Sequence, residues 1–487
     1  MAKKVFCLLV IAVLALAPLT ACGGPSRENT LKIYNWGDYI SAGDDVDVDL
    51  LVEFEKFYEQ KYNTDIKIVY ETFDTNETMY IKIDKGREDW DLVCPSDYML
   101  ERMLRQGLLE PFNKEMLPNL EHISPFIAEK FAEIEEGNKP EGHEDYVYSV
   151  GYMWGTLGIL YNIDAVEELG ANDLIDSWDA LWSELFEEKI YMKNSVRDSL
   201  GAAIMYVNRE QLLEEKQKAE DGEITWEEYS EFVAEVFNSL SDEKLEAAKQ
   251  ALISQRKSLG VKYDVDLDKY DMVNGKYFVD LAWSGDAIWS VIETIEEGDG
   301  SVRLGYTIPK EGSNLWFDAW ARPVYSRARD VLVHEFVNFM CDPESAIANM
   351  EAVGYVSVIG GEDVFEYAKE TWEWQLEDDY FTQFGEDTRV NASYFFPDIA
   401  EAADVALNPI MYPHLDSIRS TAVMKDYGER YDDVLALWAE VKGGELSVWV
   451  YIGLGAVAAA AIGFAVFMRL NSSNKNKKRN GKRARAK

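Results

Sequence analysis

Short apolar segments typical of β-strands alternate with amphipathic helical segments from Leu31 onward, and this alternation constrains the fold most. Leu31–Trp36 reads as a strand, and Leu50–Tyr62 follows it as an amphipathic helix. Two further strand–helix pairs occupy 65–85 and 90–106. Such regular alternation predicts an α/β architecture with a largely parallel sheet.

A long apolar stretch with internal glycines, Gly151–Asn162, predicts a strand that leaves one lobe and enters a second. Roughly 420 residues lie between the two chain ends, which is too many for one small core. We therefore predict two lobes, with the boundaries 31–153 and 317–364 for lobe 1 and 154–316 and 365–442 for lobe 2. Two acidic stretches, 211–258 and 362–408, are predicted to be insertions.

The N-terminus has the pattern of an export signal. Lys3 and Lys4 precede an apolar segment too short to span a membrane comfortably, which predicts a signal peptide over 1–21. The five residues from Leu19 to Gly23 resemble the bacterial lipobox. That resemblance implies cleavage before Cys22 and lipidation of this cysteine.

The C-terminus has a second membrane-like pattern. No charged side chain occurs over 446–468, and the residues that follow, 469–487, are rich in Lys and Arg and contain no acid. An apolar run of about 20 residues is long enough to cross a bilayer as a helix, and basic flanks stay inside. We expect a transmembrane helix over 446–468, a cytoplasmic tail over 469–487, and the binding domain on the extracellular face of the cell membrane.

The composition is strongly acidic, with 89 Asp and Glu against 48 Lys and Arg and a formal net charge of −41. Such a surface repels nucleic acid and attracts cations, so no nucleic-acid partner is expected. The four histidines are scattered, which argues against metal or triad chemistry. Asp264, Asp266 and Asp268 resemble the start of a calcium loop, but Lys269 and Gly275 break that pattern. We expect no catalytic residue, metal or cofactor.

Several segments place aromatic residues beside a carboxylate or hydroxyl where a predicted strand ends. In open α/β sheets, ligands bind outside the carboxyl ends of the strands. Gathered in one cleft, these side chains would form a box with aromatic walls and acidic groups. The segments are Tyr34–Tyr39, Pro95–Tyr98, Ser195–Asp198, Ala282–Asp286 and Leu315–Asp318.

This combination of side chains favours a particular class of ligand. Aromatic faces attract ammonium groups, by about 0.5–2 kcal/mol for each cation–π contact. Carboxylates give ammonium groups charge-assisted hydrogen bonds, roughly twice as strong as neutral ones. A short aliphatic chain with an amine at each end satisfies both demands. Phosphate or carboxylate ligands would require basic residues, which are scarce in these segments.

At this point the chain resembles a known family, the spermidine/putrescine-binding proteins of polyamine ABC importers. The resemblance covers roughly 31–439 and implies the two-lobed periplasmic-binding-protein type II fold, with a ligand cleft between the lobes. The segments that carry it, in order, are Tyr34–Tyr39, Thr75–Met79, Asp91–Tyr98, Tyr152–Gly155, Trp283–Ala287, Pro309–Gly312, Trp316–Asp318 and Val353–Tyr355.

The resemblance also implies partners and site residues. The partners would be a polyamine ligand, putrescine or spermidine, and the permease and ATPase subunits of an ABC importer. The aromatic walls would be Trp36, Tyr39, Tyr98, Trp283, Trp316 and Tyr355, and the nitrogens would be held by Asp38, Ser96, Asp198, Asp286 and Asp318.

Three positions depart from the family pattern. Ser195 stands where spermidine binders often have Asp, Met424 where some have Gln, and Gly37 replaces a hydroxyl residue. Asp286 matches a position that is acidic in putrescine-preferring members. These features predict a preference for putrescine over spermidine, or nearly equal binding of the two.

Other readings of the same residues stay open at this point. Paired carboxylates with tryptophans also describe the cleft of a membrane-anchored glycoside hydrolase. The same fold with another ligand would be a binder of some other small cation or an amino-sugar. A membrane-tethered sensor or adhesin would bind without transport.

Overall fold

The computed structural model describes residues 26–140, 142–296, 301–377, 381 and 388–443. The chain divides into two compact units, residues 1–428 and 429–487. In the second unit the described residues form one α-helix, Tyr431–Val441. The strands and all the other α-helices of the described residues belong to the first unit.

The strands and helices alternate as the sequence predicts. The strands are β1 (Thr30–Trp36), β2 (Lys67–Phe73), β3 (Leu92–Val93), β4 (Leu109–Glu110), β5 (Phe112–Asn113), β6 (Tyr146–Val147), β7 (Ser149–Asn162), β8 (Ile190–Lys193), β9 (Lys262–Asp264), β10 (Val279–Trp283), β11 (Leu304–Thr307), β12 (Ser313–Pro323), β13 (Val356–Ser357) and β14 (Thr421–Ala422).

The helices of the first unit are α1 (Leu50–Tyr62), α2 (Asn76–Asp84), α3 (Asp97–Arg105), α4 (Pro125–Glu135), α5 (Ile163–Leu169), α6 (Val196–Val207), α7 (Arg209–Glu220), α8 (Trp226–Phe237), α9 (Asp242–Leu259), α10 (Leu267–Val273), α11 (Ser284–Glu296), α12 (Asp330–Met340), α13 (Pro343–Val353), α14 (Glu362–Glu377) and α15 (Leu415–Ile418). The segment 211–258 is largely helical, spanning α7 to α9, and its assignment as an insertion stays a prediction. The other, 362–408, begins with α14.

Helix α1 illustrates how local sequence sets these elements. The Asp49 carboxylate caps its first turn, accepting hydrogen bonds from the backbone N–H groups of Leu51 and Val52 at 3.0 Å. Leu50, Phe54 and Tyr58, four residues apart, form its buried face. The helix ends at Asn63 in the left-handed conformation, with φ of 48°.

The sheet has the strand order β2-β1-β3-β12-β7-β10-β8-β9. Pairing is parallel within β2-β1-β3 and within β10-β8-β9. The two central strands, β7 and β12, run antiparallel to each other and to β10 and β3 respectively. The prediction of a largely parallel sheet is therefore correct for the strands on the two flanks but wrong for the two central strands.

Strand β7 joins the two groups of strands, as the apolar stretch Gly151–Asn162 predicts. Its pairing with β12 runs from Ser149 to Thr156, and its pairing with β10 begins at Leu157. The two-lobed α/β fold fits this arrangement. The lobe boundaries themselves, including the change at 153/154, stay a prediction.

The predicted C-terminal transmembrane helix is the part of the fold prediction that needs correction. In the part of the chain that the structure describes, no helix combines the length and the apolar character that crossing a bilayer demands. The predicted span, 446–468, and the predicted cytoplasmic tail, 469–487, lie outside the described residues. The fold that the described residues form is the two-lobed α/β fold, with no membrane-spanning helix among them. The signal peptide 1–21 and Cys22 also lie outside the described residues.

Asp91 connects three segments of the first strand group. Its side chain is fully buried, and its Oδ2 atom accepts hydrogen bonds from Arg27 Nη1 at 2.8 Å and from the Lys32 backbone N–H at 2.9 Å. Its Oδ1 atom accepts from Ser326 Oγ at 2.9 Å and from two backbone N–H groups, of Arg327 and Ala328, at 2.8 Å. One carboxylate therefore fixes the start of β1 and the loop after β12.

We predict that Asp91→Ala lowers the free energy of unfolding by about 3–5 kcal/mol, because a guanidinium and several N–H groups lose their acceptor. Urea denaturation measures this change. Glu53→Ala is the control, because Glu53 forms an exposed ion pair with Lys56 at 2.7 Å, and it should change stability by less than about 1 kcal/mol. Equal denaturation midpoints for Asp91→Ala and the wild type would contradict the prediction.

Candidate functional site

A cavity of about 420 Å³ lies where the two strand groups meet. This volume is within the range of small-molecule sites, about 300–1,000 Å³. All eleven residues predicted to bind the ligand line it: Trp36, Asp38, Tyr39, Ser96, Tyr98, Asp198, Trp283, Asp286, Trp316, Asp318 and Tyr355. The three departures from the family pattern, Gly37, Ser195 and Met424, also line it. That these side chains contact a ligand stays a prediction.

Strand ends position most of these side chains. Trp36 is the last residue of β1 and Trp283 is the last residue of β10. Ser96 and Ser195 occupy the N-cap positions of α3 and α6, just after β3 and β8. Because the parallel strands end at the same edge, residues far apart in sequence reach one cavity.

The central strand β12 contributes Trp316 and Asp318. These residues are two apart, so their side chains lie on the same face of the strand. The pairing register with β7 shifts between Asp318 and Ala319, leaving an extra β7 residue there. Tyr355 reaches the cavity from the segment between α13 and β13, directly after Gly354, which ends α13 with φ of 76°.

Two glycines allow the aromatic walls to pack closely. A Cβ atom at Gly155 would lie 2.5 Å from the Trp316 ring, and a Cβ atom at Gly285 would overlap the Tyr355 ring. Both glycines belong to segments that carry the family resemblance. Their backbone therefore provides the space that the two rings occupy.

The aromatic side chains form a connected wall. The Tyr39 and Tyr355 ring centroids are 5.2 Å apart with a T-shaped geometry, and those of Trp316 and Tyr355 are 5.7 Å apart. Trp36 packs on Phe73 at 4.5 Å. Such a wall suits the methylene chain of a ligand and attracts ammonium groups.

Asp318 is the carboxylate best placed to receive a cation. It is only 6 % exposed, and its Oδ2 atom accepts a hydrogen bond from the Tyr39 hydroxyl at 2.8 Å. None of the described residues hydrogen-bonds to its Oδ1 atom. Burial raises the pKa of Asp318 to about 6, and the nearby Asp198 charge adds to the rise. A bound cation would relieve this desolvation.

Asp198 lies in the first turn of α6. Its carboxylate accepts a 3.3 Å hydrogen bond from Trp283 Nε1, and burial raises its pKa. The Ser195 hydroxyl accepts from the Asp198 backbone N–H at 3.4 Å. Ser195 therefore acts as the N-cap of this helix.

Asp286 differs from Asp318 because the protein already supplies its cation. Lys193 Nζ lies 2.8 Å from Asp286 Oδ2, and the Tyr355 hydroxyl donates to Asp286 Oδ1 at 2.9 Å. Burial raises the pKa of Asp286, but the Lys193 and Lys269 charges, together with the hydrogen bonds from Lys193 and Tyr355, hold the pKa below its usual range. Asp286 is therefore already paired with a cation in the ligand-free protein, and its predicted contact with a ligand nitrogen stays a prediction.

The sequence reasoning missed several residues that line the cavity. Glu77 accepts a 3.2 Å hydrogen bond from the Tyr98 hydroxyl, and burial raises its pKa. It lies in the first turn of α2, after β2, so the rule that strand ends form the site was sufficient to find it. The cavity lining includes the carboxylates Asp38, Asp45, Asp74, Glu77, Asp97, Asp198, Asp266, Asp286 and Asp318, and the lining residues that the structure describes contain one ammonium, Lys269.

The three aspartates that resemble a calcium loop have other roles. Asp264 Oδ1 accepts hydrogen bonds from the backbone N–H groups of residues 265–267, and Asp268 pairs with Lys193 at 2.7 Å. Within the described ranges, no group of three or more His, Cys, Asp or Glu side chains is arranged to hold a metal ion.

Fold and site together define a cleft that binds a small ligand between two α/β lobes. A family model described as bacterial extracellular solute-binding protein matches residues 53–370, more than half of the chain. The chain belongs to this family of extracellular solute-binding proteins. This places the binding domain outside the cytoplasm and confirms the prediction of a binding protein rather than an enzyme.

Individual relatives agree with this assignment. The chain is 29% identical over 321 residues to the putrescine-binding periplasmic protein PotF of Escherichia coli (strain K12), covering 66% of this chain and 75% of that protein. It is 26% identical over 348 residues to the spermidine/putrescine-binding periplasmic protein of Salmonella typhimurium, covering 71% and 82%.

A solved structure shows the same fold. It is a protein from Listeria monocytogenes that is named as a spermidine/putrescine ABC transporter. The sequences are 26% identical, the TM-score is 0.58, and the match covers 85% of this chain and 99% of that one.

We predict that Asp318→Asn stabilises the ligand-free protein at neutral pH. The pKa of Asp318 is about 6 in the folded state against an ordinary value of 3.8, so wild-type stability falls as the pH rises from about 4 to about 6. The variant lacks this loss, so above pH 6 its free energy of unfolding should exceed that of the wild type by up to about 3 kcal/mol, since one pKa unit is 1.36 kcal/mol. Thermal unfolding of both proteins at pH 3.5 and 7.5 measures the difference.

The gain should be present at pH 7.5 and absent at pH 3.5. Both carboxyl groups, folded and unfolded, are largely protonated at the lower pH. A variant less stable than the wild type at pH 7.5 would contradict the assignment of an ionised carboxylate that lacks a cation.

Proposed function

We propose that this protein is the substrate-binding component of an ABC importer and captures polyamines, putrescine or spermidine, for delivery to the permease. The names of its relatives and the composition of its cavity both support this proposal. The permease and the ATPase would be its protein partners.

One observation carries the proposal. Asp318 presents a free Oδ1 atom inside a cavity walled by Tyr39, Trp316 and Tyr355. An ammonium group satisfies that oxygen and also contacts the aromatic faces. An anionic ligand finds a cavity in which carboxylates greatly outnumber the one ammonium among the described lining residues, and repulsion excludes it.

The cavity also offers a carboxylate for a second ligand amine. The second carboxylate, Asp198, is not paired with a lysine and lies beside Trp283. A ligand with two ammonium groups separated by a short methylene chain satisfies both carboxylates, whereas a neutral sugar leaves both charges buried and unpaired. Polyamines are therefore favoured over the carbohydrate and hydrolase alternatives.

We predict that the wild type binds putrescine with micromolar affinity or better, roughly −8 kcal/mol, and binds neutral oligosaccharides undetectably. Asp318→Asn should weaken putrescine binding by about 3–5 kcal/mol, because a buried ammonium loses its counter-charge. Isothermal titration calorimetry measures both quantities. Asp173→Asn, at an exposed position outside the cavity, is the matched control and should keep the wild-type dissociation constant.

Two outcomes would overturn this reading. An Asp318→Asn protein with wild-type affinity would remove Asp318 from the binding site. Oligosaccharide binding without polyamine binding would replace the proposed ligand class.

The mode of attachment forms a second part of the proposal. Cleavage before Cys22 and acylation of its thiol would tether the binding domain to the membrane surface. We predict that a labelled fatty acid is incorporated into the wild type and into Cys341→Ala, but not into Cys22→Ala. Equal labelling of all three proteins would exclude Cys22 as the acylated residue.

A further inference from the structure

Lys193 is a fully buried lysine at the end of β8, and its surroundings match those expected for a bound ligand amine. Its Nζ atom lies 2.7 Å from Asp268 Oδ2 and 2.8 Å from Asp286 Oδ2. It donates to the Val265 carbonyl at 3.1 Å and lies 4.4 Å from the centroid of the Trp283 ring. Two carboxylates, a carbonyl and an aromatic face thus surround one ammonium.

The two halves of the cavity are built alike. Asp318 accepts a hydrogen bond from the Tyr39 hydroxyl at 2.8 Å, and Asp286 accepts one from the Tyr355 hydroxyl at 2.9 Å. The centroids of the two tyrosine rings lie 5.2 Å apart. The halves differ at the remaining carboxylate oxygen, because Lys193 occupies that of Asp286, while none of the described residues hydrogen-bonds to that of Asp318.

We propose that Lys193 is a specificity-determining residue, because its buried ammonium, which does not itself line the cavity, neutralises Asp286 and so makes this carboxylate a poor partner for a ligand amine. This inference rests on the proposed function, polyamine binding. A ligand then places its ammonium groups on Asp318 and Asp198 only. A diamine fulfils this condition, whereas the third ammonium of a longer triamine finds at Asp286 a carboxylate that Lys193 has already neutralised.

The lysine also has a structural role that the test must separate from selectivity. Removing it leaves Asp268 without this cation, and Asp286 with only the Lys269 ammonium at 3.8 Å, in a buried cluster that also contains Asp280. Loss of the lysine alone is therefore expected to destabilise the fold. Structural damage alone would weaken the binding of all ligands by the same factor. A vacated amine subsite would instead change the ratio of their dissociation constants.

The experiment compares putrescine and spermidine by calorimetry in the wild type, Lys193→Met and the double variant Lys193→Met/Asp268→Asn. The double variant removes one positive and one negative charge, so the net charge of the cluster is unchanged. It serves as the test protein where circular dichroism shows that the single variant does not fold. Lys32→Met is the control, because Lys32 pairs with Asp89 at 2.6 Å outside the cavity.

In the folded variant, the affinity for spermidine relative to putrescine should rise by about tenfold or more, as expected for one added charge-assisted contact. Lys32→Met should leave the ratio unchanged. An unchanged ratio in the double variant, with the wild type still binding putrescine, would overturn the role of Lys193 alone. Absence of polyamine binding in the wild type would instead overturn the proposed function, so the two failures are distinguishable.

Discussion

The antiparallel pairing of β7 with β12 is the constraint on which the rest of the binding unit depends. Strand β7 pairs with β12 over its first half and with β10 and β11 over its second half. The two parallel strand groups are thereby fixed on either side of one central pair. Since β12 itself carries Trp316 and Asp318, the same pairing that joins the groups also positions the central acid of the cavity.

Electrostatics gives this cavity its chemical character. Burial makes an ionised carboxylate costly unless a cation accompanies it. At Asp286 the protein supplies this cation through a buried lysine. At Asp318 no described residue hydrogen-bonds to the Oδ1 atom, so the cost remains. The ligand-free site is thus held in a state that a cation improves, and binding energy comes partly from relieving that desolvation.

Much of the fold could be predicted from local sequence patterns. Helix α1 coincides with the predicted segment Leu50–Tyr62, and the strand predicted from Leu31 extends from Thr30 to Trp36. All eleven predicted ligand contacts line one cavity, because the rule that strands end at a common edge is a property of the α/β fold rather than of particular contacts. The resemblance to polyamine-binding proteins supplied the ligand class and most of the named roles. The predicted transmembrane helix is the part of the fold prediction that the described residues do not bear out.

By itself, the sequence determined the order of strands and helices, the strand ends that carry the site, and the family. These features follow from short-range periodicity and from residues close together in the chain. Only the tertiary structure decided which carboxylates are neutralised. Asp286 meets Lys193 across 93 residues, and Asp318 meets Tyr39 across 279. A buried charge depends on the groups within a few ångströms in space, and sequence separation does not specify that distance.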